Sequence, residues 1–415
     1  MTDEHIFLAR QEEGRKIVAT KLPSWAENIS ILFPAKISLE QCSSEATATY
    51  KAGLASGESL VDLTGGFGVD CSFLSKNFSS VDYVEQNEEL CQIAEHNFKA
   101  LGLNIRVNNA ESVEFLKNMP AVDCIYIDPA RRDIKGKKTA DLSLCSPNLL
   151  EIRDILLDKC NTLLIKLSPM FDISSALEVF PECKQVHVVS VKNECKELLL
   201  LVEGGFCGET EIVCIELGMR NFAVSESNVQ FTETLPNESK IAEGNEELGI
   251  LRVGESISKT SFDYAEHKQN RLQAMRSEEF GEIVSYSAPK SYLYEPNASI
   301  MKAGLFKTVA NKYNVQKLHP STHLYTSEEL VPDFPGRSFE IKRVTKVQKK
   351  EIQDIEKANL SIRNFPGNVA DLRKKLKLKD GGDTYIFACT LNDNSKVLII
   401  CEKIPNYSLT FISTS

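Results

Sequence analysis

The stretch Val61-Asp62-Leu63-Thr64-Gly65-Gly66-Phe67-Gly68-Val69-Asp70 joins an apolar strand to a helix through a glycine-rich loop. Glycine has no side chain, so the backbone of such a loop can lie directly against a ligand. Further along the chain, short apolar strands alternate with amphipathic helices, which is typical of a parallel sheet with helices on both faces. The stretch therefore predicts a nucleotide-binding turn at the carboxyl end of the first strand of such a sheet.

The alternating region predicts an α/β fold with a Rossmann-like sheet. The predicted strands are Ser59–Leu63, Val81–Glu85, Ile105–Asn108, Val122–Asp128, Thr162–Leu167, Gln185–Val191 and Glu197–Val202. The predicted helices are Val69–Lys76, Glu88–Leu101, Ser112–Asn118, Pro147–Lys159 and Ile173–Phe180. Only residues 192–196 separate the last two strands, which is too short for a parallel crossover. We therefore expect five parallel strands that end in an antiparallel hairpin.

The length of 415 residues predicts two or three domains, with helices before this sheet and small α+β units after it. Other helices are expected at Glu4–Thr20, Ser38–Ala55 with Ser38 as N-cap, Ser299–Tyr313 and Lys349–Asn359. The expected division is an N-terminal helical region 1–57, an α/β domain 58–205, a β-rich connecting region 206–280, a small module 281–330 and a basic α+β domain 337–415.

Composition and charge exclude several classes of protein. The chain is 42% hydrophobic and 26% charged, as globular proteins are, and no apolar run is long enough to span a membrane. No secretory signal opens the sequence, so a cytoplasmic location is expected. The 12 cysteines form no CxxC pair, and His319 and His323 lack a third ligand, so no metal site is predicted.

The loop spacing separates two candidate cofactors. A dinucleotide-binding GxGxxG pattern requires a third glycine where this chain has Cys71, which disfavours NAD. Asp62, Gly66 and Gly68 instead match the D-x-x-x-G-x-G pattern of class I methyltransferases that use S-adenosylmethionine. This cofactor is therefore predicted to lie on the loop, with Thr64 and Gly65 among its contacts.

The next two strands supply further predicted cofactor contacts. Glu85 ends the second strand 23 positions after Asp62, where a carboxylate can accept hydrogen bonds from both ribose hydroxyls. Asn109 and Ala110 follow the third strand, and the amide oxygen of Asn109 is a candidate acceptor for the adenine amino group.

The fourth strand ends in Asp128-Pro129-Ala130-Arg131-Arg132, where we place the catalytic residues Asp128 and Pro129. The sequence resembles the (D/N)PP(Y/F) motif of methyltransferases that modify exocyclic base amines. In that mechanism the carboxylate and the carbonyl beside the proline accept hydrogen bonds from the amine, which aims its lone pair at the methyl group. Asp128 is also assigned to the cofactor site. Ala130 and Arg131 depart from the motif and weaken the expectation of base stacking.

Basic residues follow this motif and are candidate phosphate ligands. They are Arg131, Arg132, Lys135, Lys137 and Lys138. Covalent catalysis at pyrimidine C5 is disfavoured, because it needs a cysteine where this chain has Pro129-Ala130 or Leu167-Ser168-Pro169.

The whole chain resembles a bacterial family of proposed RNA methyltransferases with a ferredoxin-like module and a C-terminal THUMP-like domain. The matching segments are Leu39–Lys51, Tyr294–Lys302, Asn364–Gly367 and Leu372–Leu376. The resemblance implies binding of S-adenosylmethionine by Asp62, Gly66, Gly68 and Glu85, with Asp128 at the reaction centre and RNA as substrate.

The C-terminal part fits a role in RNA binding. Between residues 337 and 403 there are 15 basic and 9 acidic residues, although the whole chain has a net charge of −10. Candidate phosphate contacts are Arg373, Lys374, Lys375 and Lys377. The favoured hypothesis is methylation of a base nitrogen, preferably guanine N2, in tRNA or rRNA. Methylation of a protein or small molecule, and a non-catalytic RNA-binding role, remain alternatives.

Overall fold

In this computed structural model the described residues are 3–131, 142–218 and 271–405, with thirteen α-helices and eighteen strands among them. The helices are α1 (Asp3–Val18), α2 (Pro23–Glu27), α3 (Lys36–Gln41), α4 (Glu45–Ala52), α5 (Val69–Leu74), α6 (Glu88–Ala100), α7 (Ser112–Asn118), α8 (Leu149–Lys159), α9 (Ile173–Val179), α10 (Arg276–Gly281), α11 (Ala298–Ala303), α12 (Phe306–Lys312) and α13 (Val369–Leu376). The strands are β1 (Gly57–Asp62), β2 (Phe78–Glu85), β3 (Arg106–Asn109), β4 (Val122–Ile127), β5 (Ala130–Arg131), β6 (Cys145–Ser146), β7 (Cys160–Leu167), β8 (Cys183–Val191), β9 (Glu194–Glu203), β10 (Glu211–Leu217), β11 (Arg271–Met275), β12 (Tyr292–Pro296), β13 (Gln316–Lys317), β14 (Tyr325–Ser327), β15 (Gly336–Lys346), β16 (Asn359–Arg363), β17 (Thr384–Thr390) and β18 (Lys396–Lys403).

A nine-stranded sheet forms the centre of the first part, in the order β11-β10-β8-β9-β7-β4-β1-β2-β3. Strands β1, β2, β3, β4 and β7 run parallel, and β8 and β9 form an antiparallel hairpin beside β7. The predicted α/β class and the terminal hairpin are therefore confirmed. The apolar residues of these strands are buried on both faces, as a sheet covered by helices requires.

The large sheet continues beyond residue 205, where the sequence suggested a boundary. Strand β10 pairs in parallel with β8, and β11 pairs antiparallel with β10, so both extend the same sheet. They come from the region 206–280 that was expected to connect two domains. Residues 219–270 of that region lie outside the described residues.

A second, seven-stranded sheet contains the strands from β12 to β18, in the order β13-β14-β12-β15-β18-β17-β16. The predicted units 281–330 and 337–415 both contribute strands to it, because β12 pairs with β15 along five residues. Helix α11 packs on β8, β9 and β10, and the Nζ of Lys302 donates a hydrogen bond to the carbonyl of Phe171 at 2.7 Å. The second sheet is thus attached to the first through α11.

Two predicted helices are each divided into two in the structure. The segment predicted as Ser38–Ala55 forms two helices, because the Ser44 hydroxyl accepts a hydrogen bond from the N–H of Thr47 and starts α4 anew. Ser38 is not an N-cap, since α3 begins after Ala35. The segment predicted as Ser299–Tyr313 is divided at Gly304, whose φ of 77° ends α11.

The predicted helix Lys349–Asn359 is only a single 3-10 turn, Lys349–Ile352. Arg343 of β15 donates to Asp354 at 2.6 Å, and Asn359 already begins β16. Strand pairing in the second sheet therefore overrides the local helical pattern. Within the described parts of the chain, we find no helix long and apolar enough to cross a membrane.

A buried histidine links the N-terminal helices to the large sheet. His187 on β8 is 2% exposed, and its Nδ1 lies 2.7 Å from the hydroxyl of Tyr50 on α4. Burial, assisted by the charge of Arg271, lowers the pKa of His187 to about 3.

We expect this histidine to make the fold sensitive to acid. An unfolded histidine has a pKa of about 6.5. As the pH falls from about 6.5 towards about 3, residue 187 therefore becomes protonated in the unfolded chain but stays neutral in the folded protein. The free energy of unfolding should fall across this range by up to about 1.4 kcal/mol per pH unit. Urea denaturation at several pH values should show a shallower pH dependence for His187→Gln. His96→Gln, at an exposed histidine, should keep the wild-type slope, and equal slopes in all three proteins would contradict the prediction.

Candidate functional site

The carboxyl ends of β1, β2 and β4 meet at one edge of the large sheet, beneath the glycine-rich loop. Asp62 ends β1 with 1% of its surface exposed. Its carboxylate accepts a hydrogen bond from the backbone N–H of Thr64 at 3.0 Å, and burial raises its pKa well above the ordinary value. Asp62 therefore supports the loop from below.

Each glycine of the loop is required or favoured for a different structural reason. A Cβ atom on Gly65 would lie 2.1 Å from the ring of Tyr83, so only glycine fits there. Gly66 has a φ of 54°, and a Cβ atom on it would meet nothing nearer than the Thr64 carbonyl at 3.8 Å. Gly68 has a φ of 85° and precedes α5. The backbone at Gly66 thus borders open space that a flat ligand can occupy.

The carboxylate of Glu85 faces this loop. Its Oε2 accepts a hydrogen bond from the N–H of Gly66 at 3.0 Å, and its Oε1 accepts one from the N–H of Asn87 at 2.8 Å. A carboxylate has about four acceptor positions, so two remain for ribose hydroxyls. The N–H of Ala110 and the Nδ2 of Asn109 donate to the carbonyl of Glu85 at 3.1 and 3.0 Å, which brings β3 to the same edge. Because the Nδ2 of Asn109 is used in this contact, its amide oxygen is the atom that a ligand can bind.

Asp128 follows β4 directly and adjoins the loop. Its backbone N–H donates a hydrogen bond to the Thr64 hydroxyl at 2.7 Å, while 37% of its side chain is exposed. Pro129 is buried and Ala130 is exposed. The structure therefore brings the predicted catalytic pair next to the predicted cofactor loop.

A lysine that the sequence analysis missed lies against this carboxylate. The Nζ of Lys166, on β7, is 2.5 Å from the Oδ2 of Asp128 and 3.5 Å from the Oδ2 of Asp70. Its side chain is 13% exposed. The available signal was a lysine within the apolar strand 160–167, since buried lysines are rare unless they are paired.

Lys166 belongs to a cluster of charged side chains, the charge cluster, formed by Lys51, Asp70, Asp128, Lys166 and Glu197. Lys51 is fully buried, and its Nζ lies 2.8 Å from Glu197 and 3.2 Å from Asp70. The cluster therefore contains two ammonium groups and three carboxylates, with Asp128 as its exposed member.

Hydroxyl groups complete the charge cluster. The hydroxyls of Ser43 and Tyr126 each donate to the Oδ2 of Asp70 at 2.7 Å. The Nζ atoms of Lys51 and Lys166 lie 3.1 and 3.2 Å from the Ser43 oxygen. The Ser43 hydroxyl thus links the ammonium groups of Lys51 and Lys166 to the carboxylate of Asp70.

The pKa shifts in the charge cluster follow from its geometry. Burial raises the pKa of Asp70, but Lys51 and Lys166 outweigh this effect and hold the pKa well below its ordinary value. Burial lowers the pKa of Lys166, but the carboxylates of Asp128, Asp70 and Glu197 outweigh it and raise the pKa above its ordinary value. Lys166 is therefore an ammonium ion at neutral pH.

The predicted phosphate ligands fall into two groups. Residues 132–141, with Arg132, Lys135, Lys137 and Lys138, lie outside the described residues, as does the side chain of Arg131. The other group is on α13 in the second sheet's domain. There the guanidinium of Arg373 donates to the carbonyls of Ala358 and Lys379 and pairs with Asp380 at 2.7 Å, so it holds the end of α13.

Three lysines of this second group, Lys374, Lys375 and Lys377, are exposed.

A shallow depression lies at the opposite edge of the large sheet from the loop, at the amino ends of β1, β4 and β7. Acidic side chains line it, among them Asp158 and Glu203, so it does not suit a phosphate ligand. No group of side chains that could hold a metal ion occurs in the described ranges.

Comparisons with known proteins agree with the resemblance seen in the sequence. Residues 292–335 match the model of a ferredoxin-like domain, and residues 336–403 match that of a THUMP domain-like family. The crystal structure of a proposed methyltransferase from Porphyromonas gingivalis W83 is 31% identical, with a TM-score of 0.76 over 98% of this chain and 92% of that one.

Other solved structures match a smaller part of the chain. An rRNA methylase from Streptococcus thermophilus is 15% identical, with a TM-score of 0.29 over 38% of this chain and 93% of that one. TrmK from M. capricolum, in complex with S-adenosylhomocysteine, is 16% identical, with a TM-score of 0.31 over 38% of this chain and 68% of that one. No curated protein matches the sequence.

We expect the charge cluster to be essential for stability. Lys51→Met should lower the free energy of unfolding by about 3–5 kcal/mol, because it leaves the carboxylate of Glu197 buried without its ammonium partner and removes one of the two that pair with Asp70. Lys99→Met removes an exposed lysine that pairs with Glu95 on α6, and should change stability by less than about 0.5 kcal/mol. Chemical denaturation measures both, and a loss below about 1 kcal/mol for Lys51→Met would contradict the assignment.

Proposed function

We propose that this chain, which belongs to the same family as the Porphyromonas gingivalis protein, is an S-adenosylmethionine-dependent methyltransferase that acts on RNA. The observation that carries the proposal is the junction of the loop with β2 and β4. The backbone N–H of Gly66 donates to the Glu85 carboxylate, and the backbone N–H of Asp128 donates to the Thr64 hydroxyl. A backbone loop, a candidate ribose-binding carboxylate and a candidate catalytic carboxylate therefore share one edge of the sheet.

Each part of this edge suits a different part of the cofactor. The backbone at Gly66 offers a flat surface, the carboxylate of Glu85 accepts from ribose hydroxyls, and the amide oxygen of Asn109 accepts from the adenine amino group. Asp128 adjoins the same loop through the hydrogen bond of its backbone N–H to the Thr64 hydroxyl. The bound cofactor supplies an electrophilic methyl group, and the chain's own residues orient the acceptor toward it.

The C-terminal domain supports RNA as the substrate. Residues 336–403 match a THUMP domain-like family, and Lys374, Lys375 and Lys377 are exposed on and just after α13. Ammonium groups at a helix end can contact phosphates without reading the base sequence. The motif at Asp128 predicts a base nitrogen such as guanine N2 as acceptor, in tRNA or rRNA.

The first test concerns the cofactor loop. Gly66→Val should abolish binding of S-adenosylmethionine, because its side chain would occupy the open space above the loop and strain a φ of 54°. Gly102→Val is the matched control, since Gly102 has a φ of 68° with no neighbouring atom within 4 Å and lies outside the loop. Titration calorimetry should show wild-type affinity for the control, and unchanged affinity in the Gly66 variant would refute the site.

The second test concerns RNA binding. Replacing Lys374, Lys375 and Lys377 with Gln should weaken binding to total RNA and reduce the slope of log K against log salt by about one for each phosphate that is no longer neutralised. The matched control replaces Lys16, Lys36 and Lys99, which are exposed on α1, α3 and α6, with the same change of net charge. An identical slope in wild type and the α13 variant would remove this surface from the proposal.

A further inference from the structure

The candidate reaction site holds an ammonium group that the Asp128-Pro129 motif does not include. The Nζ of Lys166 lies 2.5 Å from the Oδ2 of Asp128, and both side chains are partly exposed at the edge of the sheet. Lys166 belongs to β7, the parallel neighbour of β4, so the two strand ends present the ion pair together. An acceptor that reaches the carboxylate therefore also meets the ammonium.

The position of this ammonium is held from below. Asp70 and the Ser43 hydroxyl lie 3.5 and 3.2 Å from the Nζ of Lys166, and Lys51 and Glu197 pair beneath them. Lys51, Asp70 and Glu197 lie on α4, α5 and β9, and Ser43 lies just before α4, so each supporting group is largely buried and held by several contacts. The ammonium and the carboxylate are therefore preorganised, which is the condition for electrostatic stabilisation of a transition state.

The sign of the charge at Lys166 bears on the identity of the acceptor atom. A neutral amine that attacks a methyl group becomes positively charged, and a neighbouring ammonium opposes that change. A hydroxyl group that attacks loses its proton and develops negative charge on oxygen, which a neighbouring ammonium stabilises. The Nζ of Lys166 can also donate a hydrogen bond to a developing oxyanion, whereas an attacking amine keeps no lone pair to accept one, so this ammonium suits an oxygen acceptor.

The residues after Asp128 agree with an acceptor that is not a base. Enzymes that act on an extruded base hold it between aromatic or apolar side chains, and the (D/N)PP(Y/F) motif provides an aromatic ring for this contact. Here the corresponding positions hold Ala130, which is exposed, and Arg131. A sugar hydroxyl does not require such a stacking partner.

We propose that the acceptor is a ribose 2′-hydroxyl of the RNA substrate, with Asp128 as proton acceptor and Lys166 as the group that stabilises the developing oxyanion. This inference rests on the proposed function and names its substrate group, which differs from the amine that the motif predicts. The carboxylates around Lys166 raise its pKa, so its role is that of a cation and not of a base.

The proposed step is balanced. The hydroxyl proton passes to the carboxylate of Asp128 while an oxygen lone pair forms a bond to the methyl carbon. The carbon–sulfur bond breaks, its electron pair remains on sulfur, and S-adenosylhomocysteine leaves as a neutral thioether. Asp128 then releases its proton to water.

The product identifies the acceptor directly. The full-length protein is incubated with S-adenosylmethionine carrying a labelled methyl group and with total RNA from a strain that lacks the gene. The RNA is digested to nucleosides, which are separated by mass spectrometry. Label in a 2′-O-methylnucleoside is the expected result, and this label should also survive in alkali-resistant dinucleotides.

The other outcomes overturn the inference in distinguishable ways. Label on a base refutes the hydroxyl acceptor and leaves the proposed RNA methyltransferase function standing. No label in any RNA, although calorimetry shows that the cofactor binds, refutes both the inference and the RNA methyltransferase function.

Variants at Lys166 test its role separately from its contribution to folding. Lys166→Met should lower kcat by about 100-fold or more, with little change in cofactor affinity, and Lys166→Arg should recover part of the loss because it keeps the charge.

Lys184→Met is the matched control, since Lys184 lies on β8 of the same sheet and pairs with Glu203 at 2.9 Å at the surface. It should keep wild-type kcat. A Lys166→Met protein with the wild-type denaturation midpoint and wild-type kcat would overturn the role assigned to Lys166. A loss of kcat that is matched by an equal loss of folded protein, with no recovery in Lys166→Arg, would also overturn it.

Discussion

The charge cluster is the constraint on which the candidate site depends. It joins α4, α5, β7, β9 and the end of β4, which are distant in sequence, and each contributes one charged side chain. Charges taken out of water destabilise a fold unless they are paired and hydrogen-bonded. The ion pairs and the hydroxyls of Ser43 and Tyr126 meet this condition, so the sheet and the N-terminal helices must keep one arrangement.

The charge cluster also connects the N-terminal helices to the candidate site. Lys51 belongs to α4 and reaches Glu197 of β9 across the sheet, and Tyr50 of the same helix contacts His187. Helix α4 thus closes one face of the α/β unit and supplies a charge to the layer under Asp128. The N-terminal region is therefore part of the site's support.

A smaller group of ion pairs connects strands of the second sheet. Glu295 on β12 is buried, and it pairs with Arg337 of β15 and with Arg363 at the end of β16. Since β12 and β16 are four places apart in the sheet, this contact requires the sheet to curl until the two strands approach each other. The segments that match the ferredoxin-like and THUMP-like models are consequently one structural unit.

Local sequence determined the α/β class, the hairpin, the glycine loop and the position of Asp128 at a strand end, because these depend on hydrophobic period and on residues close in the chain. Only the tertiary structure decided which charges meet, since Lys51, Asp70, Asp128, Lys166 and Glu197 are brought together by the order of the strands and not by spacing. It likewise decided where helices stop, because the capping at Ser44 and the strand that begins at Asn359 outweigh weak helical preferences. The proposal of a hydroxyl acceptor likewise rests on tertiary structure, because only the fold brings Lys166 beside Asp128.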